Sequence, residues 1–448
     1  MKRLFGTDGI RAVAGEYPLD PATVRRFGHA LAAELAVAGD LCVVLGRDTR
    51  ESGEWLRDAV AHGLAGGGAG VVDAGVITTP GLAYAVRQGH FAAGVMISAS
   101  HNPFRDNGLK AFGADGVKLA DDVERSIEAR ILDRGLADPG PADQSPPTDP
   151  SLVAAYVRHL ESLIPPRRFA GLRLTLDCSN GAAHRIAPEV FRHFGAQVVT
   201  IGDRPDGCNI NLDCGSLHVD ALARRVVADG SDAGLAFDGD ADRCLAVDSR
   251  GRVVDGDAIL FICGRGLHRS GRLRGPGVVA TIMSNFWLQD RLHREGIRLE
   301  RTQVGDKYVL EKMIGDDLVL GGEQSGHVIF REHATTGDGI LTGLLLLDTL
   351  IGGAETLADI MEGIAPYPQI LINVPVRDKP DLRAHPTVGP EVARTESELN
   401  GQGRVVLRYS GTEPLARVMI EGKDEPTVKR LAEALAAVIR REIGSEVA

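Results

Sequence analysis

One pattern recurs three times along the chain and leaves few folds open to it. Leu41 to Leu45 is an apolar run with two β-branched valines, ending in Gly46-Arg47-Asp48-Thr49-Arg50, and helical periodicity follows from Gly53 to Leu64. Leu172 to Leu176 is a similar run, ending in Asp177-Cys178-Ser179-Asn180-Gly181, with a helix expected near Ala187 to Phe194. Val278 to Ile282 ends in Met283-Ser284-Asn285, with a helix expected from Phe286 to Arg294. Each unit then reaches a second strand: Gly70 to Asp73, Gln197 to Ile201, and Leu299 to Gln303. Strand, polar turn, helix, strand is the βαβ signature of a mostly parallel sheet. Three copies predict three related α/β domains.

Three breaks divide the chain. Asp138 to Pro150 carries five prolines and no apolar periodicity, so it reads as a linker. Ser249 to Gly251 is a turn signal between the second and third units. After Pro366 the pattern changes. Ile370 to Val376 alternates, a helix is expected over Pro390 to Leu399, and Arg404 to Leu407 and Val418 to Ile420 read as strands. Pro426 to Glu442 is a strongly periodic helix. That is an α+β module. The expected domains are 1–150, 151–250, 251–367 and 368–448.

The densest charge cluster is Asp238-Gly239-Asp240-Ala241-Asp242, followed at once by Arg243. Two carboxylates about 4 Å apart repel by about 4 kcal/mol near a protein surface, and three make three such pairs. A bound divalent cation removes that cost, and hard oxygen donors suit Mg²⁺. Small residues between the aspartates let the backbone curl and bring the oxygens together. The competing reading is a solvated acidic turn, which three regular aspartates after the apolar run Ala233 to Phe237 disfavour.

Four other loops carry groups suited to phosphate and sugar. Ala92 to Ile97 delivers Ser98-Ala99-Ser100-His101-Asn102-Pro103 and then Asn107-Gly108-Leu109-Lys110. Ser100 is a candidate nucleophile. No Gly-x-Ser-x-Gly elbow surrounds it, so acyl transfer is disfavoured. Phosphoryl transfer needs a metal beside the oxygen, and the aspartates offer one. Arg408-Tyr409-Ser410-Gly411-Thr412-Glu413-Pro414, with Arg417 close behind, offers guanidinium, hydroxyl and backbone donors to a dianion. In Gly321-Gly322-Glu323-Gln324-Ser325-Gly326-His327 an extended loop would point Glu323 and Ser325 the same way, and a carboxylate beside a hydroxyl suits recognition of vicinal sugar hydroxyls. Phe5 to Arg11 adds a glycine turn with Arg11. Taken singly, the serine loop reads equally well as an ordinary polar turn, the Arg408 loop slightly better as an ordinary hairpin turn, and the other two better as plain glycine turns.

A net charge of −11 and only 4% aromatic residues argue against non-specific nucleic-acid or anionic-membrane binding. The basic start Met1-Lys2-Arg3 is followed by no apolar core, and no run of about 18 apolar residues occurs, so a cytoplasmic protein is expected. Cys42, Cys178, Cys208, Cys214, Cys244 and Cys263 show no CxxC pairing and read as free thiols.

Taken in order, the five loops closely resemble those of the α-D-phosphohexomutases, over the whole chain. The resemblance implies four domains around a central cleft, three of them related α/β domains with mixed, mostly parallel sheets and one C-terminal α+β domain. It implies a phosphorylated Ser100, and Mg²⁺ held by Asp238, Asp240 and Asp242 together with the Ser100 phosphate. Arg243 resembles the arginine that steadies the phosphoserine. Lys110 and His101 stand where acid/base and electrostatic helpers stand, and Arg11 and His327 belong to the same site. Glu323 and Ser325 match residues that hold sugar hydroxyls. Arg408, Ser410, Gly411, Thr412 and Arg417 match the clamp on the non-reacting phosphate. Gln324 and Thr335-Thr336-Gly337-Asp338-Gly339 resemble the branch that interconverts glucosamine 6-phosphate and glucosamine 1-phosphate through the 1,6-bisphosphate. That branch supplies the precursor of UDP-N-acetylglucosamine. Glucose and mannose phosphates stay open as substrates, as does a Mg²⁺-dependent phosphatase with Asp238 as nucleophile. Tyr409 and Ala12 depart from the family pattern. The implied partners are a phosphosugar and, in a homodimer, a second copy of the chain.

Overall fold

The computed structural model describes residues 4–6, 8–35, 41–133, 138, 140, 145–353, 355–410 and 413–445. They fall into two compact units, Met1–Thr281 with Glu300–Met361, and Ile282–Leu299 with Glu362–Ala448. No described helix is long and apolar enough to cross a membrane.

The first unit holds three sheets of one design. Strands β1 (Ile10–Val13), β2 (Cys42–Arg47), β3 (Gly70–Val76), β4 (Ala93–Ile97) and β5 (Asp106–Gly113) lie in the order β1-β5-β4-β2-β3. Strands β6 (Arg173–Asp177), β7 (Gln197–Ile201), β8 (Ala233–Phe237), β9 (Cys244–Asp248) and β10 (Val253–Val254) lie in the order β10-β9-β8-β6-β7. Strands β11 (Gly277–Thr281), β12 (Arg298–Thr302), β13 (Leu320–Gly322) and β14 (Val328–Phe330) lie in the order β12-β11-β13-β14. Each expected βαβ unit is present. The parallel share is smaller than the pattern implies, because each sheet continues into an antiparallel hairpin: β4 with β5, β8 with β9, and β13 with β14.

The first sheet shows why its strands read as continuous apolar runs. Val43, Leu45, Val95 and Ile97 pack on one side against Phe27 and Leu56. Val44 and Met96 pack on the other against Leu82 and Val86. Burial on both faces removes the alternation of a half-exposed strand. The helix expected from Ala187 begins earlier and runs Ala183–His193, with Pro188 inside it. Of the expected linker, Asp138 pairs with Arg25, and Asp73 donates its N–H to the Pro147 carbonyl. Residues 139 and 141–144 lie outside the described residues.

The second unit carries β15 (Gln369–Pro375), β16 (Gly403–Tyr409) and β17 (Leu415–Gly422), antiparallel in the order β15-β17-β16. Helices Val388–Leu399 and Glu425–Ile443 cover the sheet with Val392, Leu431, Leu435 and Ile439. Helix Phe286–Arg294 groups with this unit. Arg404 donates to the carbonyls of Ile282, at 2.9 Å, and Ser284, at 2.7 Å.

Candidate active site

The three hairpins of the first unit carry the serine loop after β4, the aspartate loop after β8 and the Glu323 loop after β13. Topologically equivalent turns of three repeated sheets thus carry three different chemistries. Ser100 and Ala241 both hold left-handed backbone conformations, with φ of 53° and 55°. Non-glycine residues in that region cost about 1–3 kcal/mol and cluster at functional sites.

Ser100 is 1% exposed. Its Oγ donates to Asp238 Oδ2 at 2.5 Å and lies 3.1 Å from His101 Nδ1. Burial first, then the charges of Arg243 and Arg11, lower His101 to about 4, which leaves it neutral near pH 7. The loop is caged from behind. Arg50 donates to the carbonyls of Ser100 and Asn102 at 2.9 Å each, and to those of Pro103 at 2.5 Å and Asp106 at 3.0 Å. Asp48 accepts from Arg50 Nε at 2.9 Å and from Ser98 Oγ at 2.7 Å, and Ser98 Oγ accepts from the Ser100 N–H at 2.9 Å. A β-carbon on Gly239 would stand 2.5 Å from the Ser100 carbonyl oxygen, so glycine lets the aspartate loop reach the serine loop.

Asp238, Asp240 and Asp242 are buried and present carboxylate oxygens within 4.8 Å of one another. Lys110 is inserted among them from β5, 2.7 Å from Asp240 Oδ2 and 3.3 Å from Asp242 Oδ2. Asp8 Oδ2 stands 3.3 Å from the same ammonium. Burial by itself lowers the pKa of Lys110. Asp240, Asp8 and Asp242 outweigh it and hold the lysine well above its ordinary value. Burial, then Asp242 and Asp240, push Asp238 well above the usual carboxylate range. Lys110 and Arg243 bring two positive charges to three carboxylates.

The donor set fits a hard cation. Asp240 Oδ1 and Asp242 Oδ1 are buried and take no hydrogen bond, which is costly unless something positive meets them. All-oxygen carboxylate donors suit Mg²⁺. The residues that could hold it are the three expected.

His327 closes the site from the third sheet. Its Nε2 accepts from the Gly337 N–H at 2.9 Å, which leaves the proton on Nδ1, facing Asp242 Oδ2 at 3.8 Å. A β-carbon on Gly337 would lie 2.5 Å from that ring. Arg243 Nε is 3.9 Å from Asp242 Oδ1. Glu323 Oε2 and Ser325 Oγ are 3.5 Å apart, and Glu323 Oε1 accepts from the Gly305 N–H at 3.0 Å. Gln324 turns elsewhere, donating at 3.1 Å to Asp255, the N-cap of helix Gly256–Arg269. Arg11 on β1 pairs with Asp8 and reaches Asn102 Oδ1 at 3.5 Å.

The second unit holds the other expected loop. Arg408 on β16 is the register partner of Arg417 on β17. Ser410 is buried, and its carbonyl accepts from Lys379 Nζ at 2.6 Å. Glu413 Oε2 lies 3.5 Å from Arg417. Gly411 and Thr412 lie outside the described residues.

Sequence reasoning missed several participants. Asp48 and Arg50 stood in view as the polar turn after β2, with nothing local to show that they cage a loop 50 residues away. Thr79 donates to Asp240 Oδ2 at 2.5 Å, across 161 residues. Its only local signal is the Thr78-Thr79-Pro80 start of helix Thr79–Gln88. Lys118 joins Asp8 to Asp306, the latter at 2.7 Å. Asn211 donates to the Ser100 carbonyl at 2.9 Å.

Four profiles of one family match the chain in sequence. Phosphoglucomutase/phosphomannomutase alpha/beta/alpha domains I, II and III match residues 2–137, 154–251 and 255–367, and the C-terminal domain matches 371–438. The chain belongs to the phosphoglucomutase/phosphomannomutase family. Within it, a Solibacter usitatus relative described as phosphoglucosamine mutase is 52% identical, covering 99% of both chains. A phosphoglucomutase/phosphomannomutase family protein from Burkholderia thailandensis shares the fold with a TM-score of 0.80 at 23% identity, covering 99% of both chains. Aspergillus fumigatus N-acetylphosphoglucosamine mutase, solved with GlcNAc-6P and magnesium, shares it with a TM-score of 0.66 at 18% identity, covering 98% of this chain and 95% of that one.

Proposed function

We propose that this family member is a phosphohexomutase that interconverts glucosamine 6-phosphate and glucosamine 1-phosphate, with Ser100 as the phosphoryl carrier. One observation carries the reading: a buried serine hydroxyl bonded to one member of a buried aspartate triplet, two of whose oxygens accept no hydrogen bond. The substrate branch is supported by the whole-length similarity to a phosphoglucosamine mutase.

Asp238, Asp240 and Asp242 would hold Mg²⁺. When bound, the ion would neutralise charge on the transferring phosphoryl oxygens. The chain's own residues do the rest. Phosphorylated Ser100 gives its phosphoryl group to the C1 hydroxyl of glucosamine 6-phosphate. The P–Oγ bond breaks, a P–O1 bond forms, and the hydroxyl proton passes to a basic group. His101 lies 3.1 Å from Ser100 Oγ, and Lys110 lies against Asp240 and Asp242 of the triplet. Lys110 supplies fixed positive charge, and neutral His101 can hold a proton in transit. Arg50 and Asn211 fix the Ser100 carbonyl, so Oγ keeps its aim. The 1,6-bisphosphate turns over, and the phosphate on C6 passes back to Ser100. Glu323 and Ser325 take sugar hydroxyls, with His327, Arg11 and Arg243 around the reacting group. Arg408, Ser410, Gly411, Thr412 and Arg417 take the phosphate that is not reacting. The domain limits that go with this reading are 1–150, 151–250, 251–367 and 368–448. The setting is cytoplasmic, and light scattering would read whether two copies associate.

The test is a panel of glucosamine, glucose and mannose 6-phosphates, each with a trace of its 1,6-bisphosphate and Mg²⁺. Glucosamine 6-phosphate should have the highest kcat/KM, EDTA should abolish turnover, and peptide mass spectrometry should find phosphate on Ser100. Ser100→Ala should abolish turnover and leave substrate binding largely intact. Near-normal activity in that variant would refute the assignment. Release of inorganic phosphate faster than sugar 1-phosphate appears would instead favour a phosphatase.

A further inference from the structure

Asp240 is bound from outside the aspartate loop by a residue with no assigned part in the chemistry. Thr79 is 1% exposed and opens the helix Thr79–Gln88. Its N–H donates to the Asp240 carbonyl oxygen at 2.9 Å, and its Oγ1 donates to Asp240 Oδ2 at 2.5 Å. Main chain and side chain thus grip the same aspartate. The helix start is itself fixed, because Thr78 caps it by accepting the Gly81 N–H at 3.0 Å.

The consequence lies in how the two oxygens of Asp240 are divided. Oδ2 takes two donors, the Thr79 hydroxyl and, at 2.7 Å, the Lys110 ammonium. Oδ1 takes none, although it is buried. Asp242 is divided in the same way. Its Oδ2 faces Lys110 at 3.3 Å and His327 at 3.8 Å, and its Oδ1 accepts no hydrogen bond, with Arg243 Nε 3.9 Å away. A carboxylate with one oxygen saturated in this way can give a cation only the other. One-oxygen ligation suits a small ion with strict octahedral demands, whereas Ca²⁺ accepts two-oxygen ligation readily.

We infer that Thr79 is a positioning residue for Asp240. Its hydroxyl commits Oδ2 to the protein, so that Oδ1 alone is offered to the cation, and the site is thereby biased toward Mg²⁺ over Ca²⁺. The inference rests on the reading of the triplet as a cation site. Groups that orient metal ligands typically contribute about 10–100-fold in metal affinity.

Isothermal titration of the purified full-length chain with MgCl₂, and separately with CaCl₂, tests it without recourse to activity. Thr79→Val keeps the shape of the side chain and removes the donor. It should weaken Mg²⁺ binding by about 10–100-fold and Ca²⁺ binding by less, so that the ratio of the two constants falls. Thr79→Ser restores the hydroxyl and should return Mg²⁺ affinity to within about threefold of the parent. A folded Thr79→Val chain with parental Mg²⁺ affinity and an unchanged Mg²⁺/Ca²⁺ ratio overturns the inference. If the valine chain does not fold, Thr79→Ala is judged by the same two readings. A parent chain that binds neither ion overturns the cation site itself, and that outcome is distinct from a parent that binds Mg²⁺ alongside an indifferent Thr79 variant.

Discussion

Arg408 and Arg417 stand directly opposite each other across the antiparallel ladder of β16 and β17. Like charges so placed destabilise a sheet unless an anion joins them. Burial, then the charge of Arg417, lowers the pKa of Arg408. Arg417 Nε is buried without a partner, and the nearby Glu413 is a weak counter-charge at 3.5 Å. The pair is ready for a dianion such as a phosphate. Arg408→Ala should raise KM for the phosphosugar by about thirtyfold, the equivalent of about 2 kcal/mol for a charged hydrogen bond, with a smaller change in kcat. Arg408→Lys should recover only part of it, because an ammonium cannot make the two-pronged contact. An unchanged KM in Arg408→Ala would remove the phosphate role from this loop.

Gly239 brings the aspartate loop against the serine loop. The β-carbon of an alanine there would meet the Ser100 carbonyl oxygen at 2.5 Å and the Asn211 amide at 2.9 Å. Backbone must yield, and Ser100 and Asp238 move apart. A misplacement of about 1 Å can cost about a hundredfold in rate, so Gly239→Ala should lose about that much in kcat. Circular dichroism should show the fold retained. Turnover within a few-fold of the parent would mean that the contact does not set the geometry.

Arg50 neutralises the fully buried Asp48 and bonds four carbonyls of the serine loop. Burial already pushes Asp48 upward, with Arg50 the main opposing charge. Arg50→Met leaves that carboxylate uncompensated and should destabilise the chain by about 3–5 kcal/mol in urea unfolding. Adding Asp48→Asn should recover part of the loss. A single variant as stable as the parent would show that the cage is dispensable.

Asp338 gives a pH-dependent stability. It caps helix Gly339–Ile351 and accepts from the Tyr156 hydroxyl at 2.9 Å. Burial raises it from 3.8 to about 6, against the hydrogen bonds from Leu341 and Tyr156. The folded chain therefore binds this proton more tightly than the unfolded one. The associated stability is fully present below about pH 4 and is lost as pH rises through about 6. The difference is worth about 3 kcal/mol. Asp338→Asn cannot titrate, so its Tm relative to the parent should rise between pH 4 and 7. A constant difference across that range would mean that Asp338 keeps an ordinary carboxylate pKa.

The three βαβ units, the aspartate triplet, the serine loop and the arginine-serine loop were legible in the sequence because each is contiguous. A strand's apolar run and the turn after it are local, and so is the charge cost of three neighbouring aspartates. Glu323 and Ser325 do come within 3.5 Å of each other, but through the turn that the Gly326 N–H closes on the Glu323 carbonyl and not through an extended run. Tertiary structure alone decided what surrounds those segments. The register that sets Arg408 against Arg417, the bond from Thr79 across 161 residues, and the Gly337 contact that fixes the tautomer of His327 depend on how separate elements pack. Gln324 shows the same limit from the other side. Its neighbours in sequence are the sugar-loop residues, yet its side chain belongs to a helix cap at Asp255. Sequence specifies which groups a loop carries. Close packing between distant elements specifies which oxygen, proton or charge each group has left to use.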